Sequence, residues 1–180
     1  MPRTLTPVEE PFSPEVTAVL ETYPKRDGYV LQLFRVFANS LRFLKKGTVN
    51  LLDSDSPVTM RQREIVILRT CANNDCEYEW GVHVAAFSTH VGLSEVQVAS
   101  TRLGGPDDDC WSREERVLIR AVDELCVSGR IGAASYDEFQ ELFTQEQQLE
   151  VLALCGNYHT VSFVANTARL DGEPFGARFP

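Results

Sequence analysis

Apolar positions recur along most of this chain at the three-to-four-residue spacing of helices that turn one face to a core. After Ser112, the residues Val117, Leu118, Ala121, Leu125 and Val127 lie mostly along one stripe. From Thr59 to Arg69, Ile65, Val66 and Leu68 supply apolar surface with Glu64 among them. Start signals accompany these patterns. Ser or Thr followed three residues later by Glu or Gln, the capping-box pattern, occurs at Thr59/Gln62, Ser94/Gln97, Ser112/Glu115, Ser135/Glu138 and Thr144/Gln147. Ser13-Pro14-Glu15 opens another helix, with proline where its missing N–H does no harm. No alternating run is flanked by an Asn-Gly or Asp-Gly hairpin turn. Breakers at Asp53 to Pro57, Gly92, Gly104-Gly105-Pro106 and Gly129 to Gly132 separate the helices. The expectation is a single all-α domain spanning 1–180, with roughly seven to nine helices. Residues 1–11 and 171–180, rich in proline and glycine, read as extended arms.

Composition narrows the setting. With 180 residues, 43% of them hydrophobic, the chain can bury one real core. A net charge of −9 argues against nucleic acid or an anionic membrane as partner. The one basic cluster, Arg42, Lys45 and Lys46, reads as a solvated helix end. Neither a signal-like apolar stretch nor a run of membrane-spanning length is present, so a cytoplasmic protein is expected. Five cysteines (Cys71, Cys76, Cys110, Cys126, Cys155), scattered and without CxxC, form neither a disulfide framework nor a zinc knuckle.

Chemistry concentrates in Cys76-Glu77-Tyr78-Glu79-Trp80-Gly81-Val82-His83. Asn73-Asn74-Asp75 reads as a turn and N-cap, so a helix is expected from near Cys76 to about His90. On it Cys76, Glu79 and His83 share one face, continued by Phe87 and His90. A cysteine in the first turn feels the positive helix end, which favours thiolate, while Glu77 and Glu79 oppose that shift. His83 could serve as a general acid/base oriented by Glu79. Each residue also has a plainer role: Cys76 as a small core residue, His83 as a hydrogen-bonded structural group, Tyr78 and Trp80 as packing residues with polar tips. A zinc site on this face lacks an evident fourth ligand, and none is assigned.

At these residues the sequence resembles the carboxymuconolactone decarboxylase / alkylhydroperoxidase D superfamily. The likeness is carried by "RQREIVILRTCANNDCEYEWGVHVAAFSTHVGLSEVQV", Arg61 to Val98, and more weakly by "GNYHTVSFVANTARL" near the C-terminus. The resemblance implies an alkylhydroperoxidase D-like helical bundle, a homo-oligomer (trimer or hexamer) and a small-molecule substrate. The peroxidase branch places Glu, Cys, Cys and His where this chain has Glu64, Cys76, Glu79 and His83, so Glu79 replaces the second cysteine. Without that vicinal dithiol the usual disulfide cycle cannot run on this helix. The decarboxylase branch uses no cofactor and keeps an acidic residue one turn before the histidine.

The leading expectation is therefore a cofactor-independent enzyme doing acid/base chemistry, decarboxylation or related proton transfer, on an organic acid or lactone. Glu64 and His83 would be the proton-transfer pair, Glu79 the second acid and Cys76 an auxiliary. Arg69, Tyr78, Trp80, Tyr158 and His159 are candidate substrate contacts, and for Arg61, Arg63 and Arg69 structural salt bridges serve equally well. Two alternatives stand beside it: a thiol peroxidase that uses Cys76 without a CxxC partner, and a family scaffold that binds a ligand without turnover.

Overall fold

The computed structural model describes residues 4–180; the first three residues of the expected N-terminal arm lie outside the described residues. The described residues form nine helices and no strand beyond an isolated bridge between Arg26 and Tyr29. In chain order they are α1 (Pro14–Leu20), α2 (Gln32–Phe37), α3 (Leu41–Lys46), α4 (Met60–Asn73), α5 (Glu77–Phe87), α6 (Glu95–Leu103), α7 (Arg113–Ser128), α8 (Ala133–Leu142) and α9 (Gln145–Thr167).

Helix α4 is the axis of the molecule. Every residue from Arg63 to Ala72 is buried, because α5, α6, α7 and α9 pack around it. A helix enclosed on all sides must carry its charged groups inside, and Arg63, Glu64 and Arg69 are buried accordingly. The 23-residue α9 turns Val151, Leu154, Tyr158, Val161 and Ala165 to the core. Its far side leaves Leu149, Leu152 and Phe163 exposed.

Four capping boxes form as the sequence predicts, at Thr59/Gln62, Ser94/Gln97, Ser112/Glu115 and Thr144/Gln147. Ser13 likewise caps α1 with Pro14 following. The fifth box does not form. Helix α8 is capped by Gly132, three residues earlier than expected, and the Ser135 hydroxyl instead donates to Glu124, which also accepts from the Gly132 N–H at 2.6 Å. A tertiary carboxylate has displaced the local cap. The stripe after Ser112 also ends early: Val127 is exposed in the last turn of α7, before Gly129 stops the helix in the left-handed region (φ 70°).

The turn into α5 is tighter than its Asn-Asn-Asp sequence suggests. Asp75 adopts φ 52°, the Cys76 N–H donates back to the Cys71 carbonyl at 2.9 Å, and Cys76 itself is the N-cap. The helix closes at Phe87, so His90 lies beyond it and is exposed. Arg42, Lys45 and Lys46 are exposed at α3, as a solvated helix end should be.

The C-terminal arm packs on its own chain. The Ala177 N–H donates to the Gly81 carbonyl at 3.0 Å, and Phe179 packs tilted against Trp80 with centroids 5.2 Å apart. The approach requires glycine, since a Cβ at position 81 would overlap the Ala177 carbonyl oxygen. Glu173 reaches α2, whose N-cap Leu31 has no capping side chain, and accepts from the Gln32 N–H at 2.9 Å. Tyr78 joins this clasp, donating to Glu173 at 2.5 Å and accepting from the Leu33 N–H at 3.1 Å.

Candidate active site

Where α4, α5 and α9 meet, four ionisable side chains converge in a buried cluster. Glu64 comes from α4, Glu79 and His83 from adjacent turns of α5, and Tyr158 from α9. His83 Nδ1 lies 2.8 Å from Glu64 Oε2, while Nε2 lies 3.0 Å from the Tyr158 hydroxyl and 3.4 Å from Glu79 Oε1. Tyr158 meets the imidazole edge-on, at 5.2 Å between centroids.

Burial alone would lower the pKa of His83. The charge of Glu64 and its hydrogen bond, then those of Glu79, outweigh it and raise the group from its ordinary 6.5 to about 10. The imidazole is thus held as the cation at neutral pH. With both ring nitrogens protonated, Nδ1–H donates to Glu64 and Nε2–H is shared between Glu79 and Tyr158, whose own hydrogen is left free. Burial first, then Glu79 and Glu64, raise the Tyr158 phenol well above its usual value, so it is a neutral donor.

The cluster is under-satisfied. Among the described residues, three buried side-chain atoms lack a hydrogen-bond partner: Arg63 Nε, Glu79 Oε2 and Ser162 Oγ. All three belong to the helices that form this junction. Arg63 precedes Glu64 and its charge acts on Tyr158, and Ser162 follows Tyr158 by one turn. Native interiors rarely leave such groups unpaired, and functional sites are where they do.

The carboxymuconolactone decarboxylase family profile matches residues 42–124. An uncharacterized peroxidase-related protein from Silicibacter sp. TM1040 superposes with TM-score 0.78 at 16% identity, covering 97% of this chain and 96% of that one. The debrominase Bmp8 gives TM-score 0.75 at 12% identity over 97% of this chain and 95% of its own, and a cysteine-to-alanine variant of it is known in complex with 2,3,4-tribromopyrrole. A protein of unknown function from Agrobacterium tumefaciens, a putative antioxidant defence protein AhpD, gives TM-score 0.60 at 21% identity over 66% of this chain and 81% of its own. Residues 42–124 are thus similar to the carboxymuconolactone decarboxylase family, and the chain as a whole shares its all-helical fold with these solved structures. No curated protein matches it.

Within this fold, the thiol at the head of α5 sits in an unfavourable place for nucleophilic chemistry. Cys76 is fully buried, beside Cys71 and Ser162. Burial pushes its pKa up to about 11; the backbone at Glu79 offsets part of this and the Glu79 carboxylate adds to it. The helix-end effect that favours thiolate is outweighed by desolvation.

Of the candidate substrate contacts, the structure brings Tyr158 to the cluster and places the others elsewhere. Arg69 clamps Asp123 at 2.5 and 2.9 Å and also donates to the carbonyls of Thr101 and Gly104. Tyr78 belongs to the Glu173 clasp, and Trp80 donates to Thr101 Oγ1 at 2.9 Å. His159 contacts Cys126 at 3.3 Å on another face of α9. Arg61 pairs with Glu115 at 2.7 Å. Arg63 donates from Nη1 to the carbonyls of Leu51 and Asp53, the loop before α4, and its buried Nε–H has no partner. Its adjacency to Glu64 was visible in the sequence, but nothing there distinguished it from Arg61 or Arg69.

Proposed function

We propose that the cluster performs cofactor-independent proton transfer on a small organic acid or lactone, in its fullest form a decarboxylation. The observation that supports it most is the pairing of a buried cationic His83 with an unpartnered Glu79 oxygen and the free hydrogen of Tyr158. In the proposed step, the bond to a carboxylate carbon breaks and CO2 leaves. The electron pair passes into a conjugated carbonyl, forming an enolate. Tyr158 donates to the enolate oxygen, and the His83 Nε2 proton is delivered to carbon. Glu64 holds the imidazole from behind at Nδ1. Glu79 stabilises the cation and relays the replacing proton, while Arg63, with its free Nε–H, is the cation for a second substrate carboxylate.

The thiol-peroxidase alternative has weaker support, because Cys76 is sealed in the core and its thiol is held protonated. The expected homo-oligomer has its candidate interface in the exposed Leu149, Leu152 and Phe163 of α9.

The test is CO2 release from carboxymuconolactone-type substrates by purified protein. Turnover that disappears in His83→Ala supports the proposal. Turnover untouched by changing both Glu64 and His83 would sink it. A tight ligand seen by native mass spectrometry, with no turnover of any such substrate, would favour the non-catalytic alternative.

A further inference from the structure

A second cluster lies where α9 meets α7, and it contains none of the residues of the His83 cluster. Cys155 and His159 are one turn apart on α9, so their side chains leave the helix one above the other. Cys126, from the last turns of α7, faces them. One ligand atom from each of the three residues lies within 4.8 Å of the others, and His159 Nε2 is 3.3 Å from Cys126 Sγ.

We propose that Cys126, Cys155 and His159 form a zinc(II) site joining α7 to α9, with its fourth position open to solvent. Tetrahedral zinc with bonds of about 2.3 Å to sulfur and 2.0–2.1 Å to nitrogen holds such atoms roughly 3.6–3.8 Å apart. The three side chains need shift by less than a bond length to meet that geometry. Their chemistry is also right, since two thiolates and an imidazole are soft-to-borderline donors that suit zinc over calcium or magnesium.

The surroundings resemble those that support bound metals. The Thr70 hydroxyl donates to Cys155 Sγ at 3.6 Å, and Asn73 lies beside Cys126. Such neighbours orient ligands and stabilise thiolate charge. Cys155 is buried while Cys126 and His159 are partly exposed, which gives an ion a path in and leaves room for a water. On binding, the two thiols release their protons to solvent and the metal takes the place of the contact between Cys126 and His159.

The experiment is titration of the chelator-stripped, reduced full chain with Zn2+ against a chromophoric competitor, with Co2+ as a spectroscopic probe. About one Zn2+ per chain should bind, tighter than about 1 μM. Co2+ should give a thiolate charge-transfer band in the near ultraviolet. Cys126→Ser and Cys155→Ser should each weaken binding by at least the roughly 100-fold that loss of even an outer-shell partner can cost. Cys110→Ser should bind as the parent does. Should the serine variants fold poorly, the parent chain suffices: Zn2+ should protect Cys126 from alkylation and raise the Tm. Zinc uptake undiminished in Cys126→Ser, a cobalt spectrum without the thiolate band, or unprotected Cys126 in the zinc-treated parent would each overturn the site.

Discussion

Two buried arrangements of carboxylate and phenol leave different faces of α5, and they are built to opposite specifications. In the Glu173 clasp every carboxylate oxygen is satisfied: Oε1 accepts from the Gln32 N–H and the Tyr78 hydroxyl, and Oε2 from the Tyr29 hydroxyl at 3.0 Å and the Gln32 amide at 3.4 Å. In the Glu64–Glu79–His83–Tyr158 cluster one carboxylate oxygen has no partner. The clasp serves stability, capping α2 with a residue more than a hundred positions away. The cluster leaves a buried acceptor unsatisfied, and in the proposed reaction that oxygen is available to the substrate.

The comparison can be broken by exchanging the consequences of mutation. His83→Ala should cut turnover the most, on the order of 10²–10⁴-fold, with little effect on the clasp; a CO2-release assay measures it. Glu173→Ala should do the reverse. It strands the hydroxyls of Tyr78 and Tyr29 and the Gln32 N–H, costing about 3 kcal/mol of unfolding free energy in denaturant titrations, while turnover per folded molecule stays at the parent value.

A pH profile sharpens the cluster's side. The His83 pKa is raised from 6.5 to about 10 in the fold, so the charged network contributes its full stability below pH 6.5 and loses it as pH rises through 10. Turnover that needs the imidazolium should fall only as pH approaches 10, and Glu64→Gln should move that falling limb toward the ordinary histidine range. The smallest effects come from two single-atom changes. Tyr78→Phe should cost roughly 1 kcal/mol of stability with turnover intact. Cys76→Ser should leave turnover within about threefold of the parent, because a buried, protonated thiol has no reacting role to lose.

Much of this was legible in the chain because it is local. Glu79 and His83, one helical turn apart, had to share a face, and Ser or Thr with Glu or Gln three residues later specified four helix starts without help from elsewhere. What escaped was set by partners distant in sequence. Glu124 captured Ser135 and moved the start of α8. Glu173 took Tyr78 out of the candidate substrate contacts, and Asp123 took Arg69. Tyr158 was one of five candidate substrate contacts with nothing local to single it out until α9 brought it to His83. The Cys155-x-x-x-His159 spacing was open to view, yet it gains meaning only when α7 sets Cys126 opposite.

Proton transfer at this cluster requires His83 to be a cation inside the protein, and that charge can be read without a substrate. The chain has three histidines, so the His83 imidazole can be followed individually by NMR from pH 5 to about 11. A midpoint near pH 10, lowered in Glu64→Gln, is the predicted result. A midpoint near 6.5 in the parent chain would mean that the cluster holds no charge at neutral pH, and the proton-transfer account would fall with it.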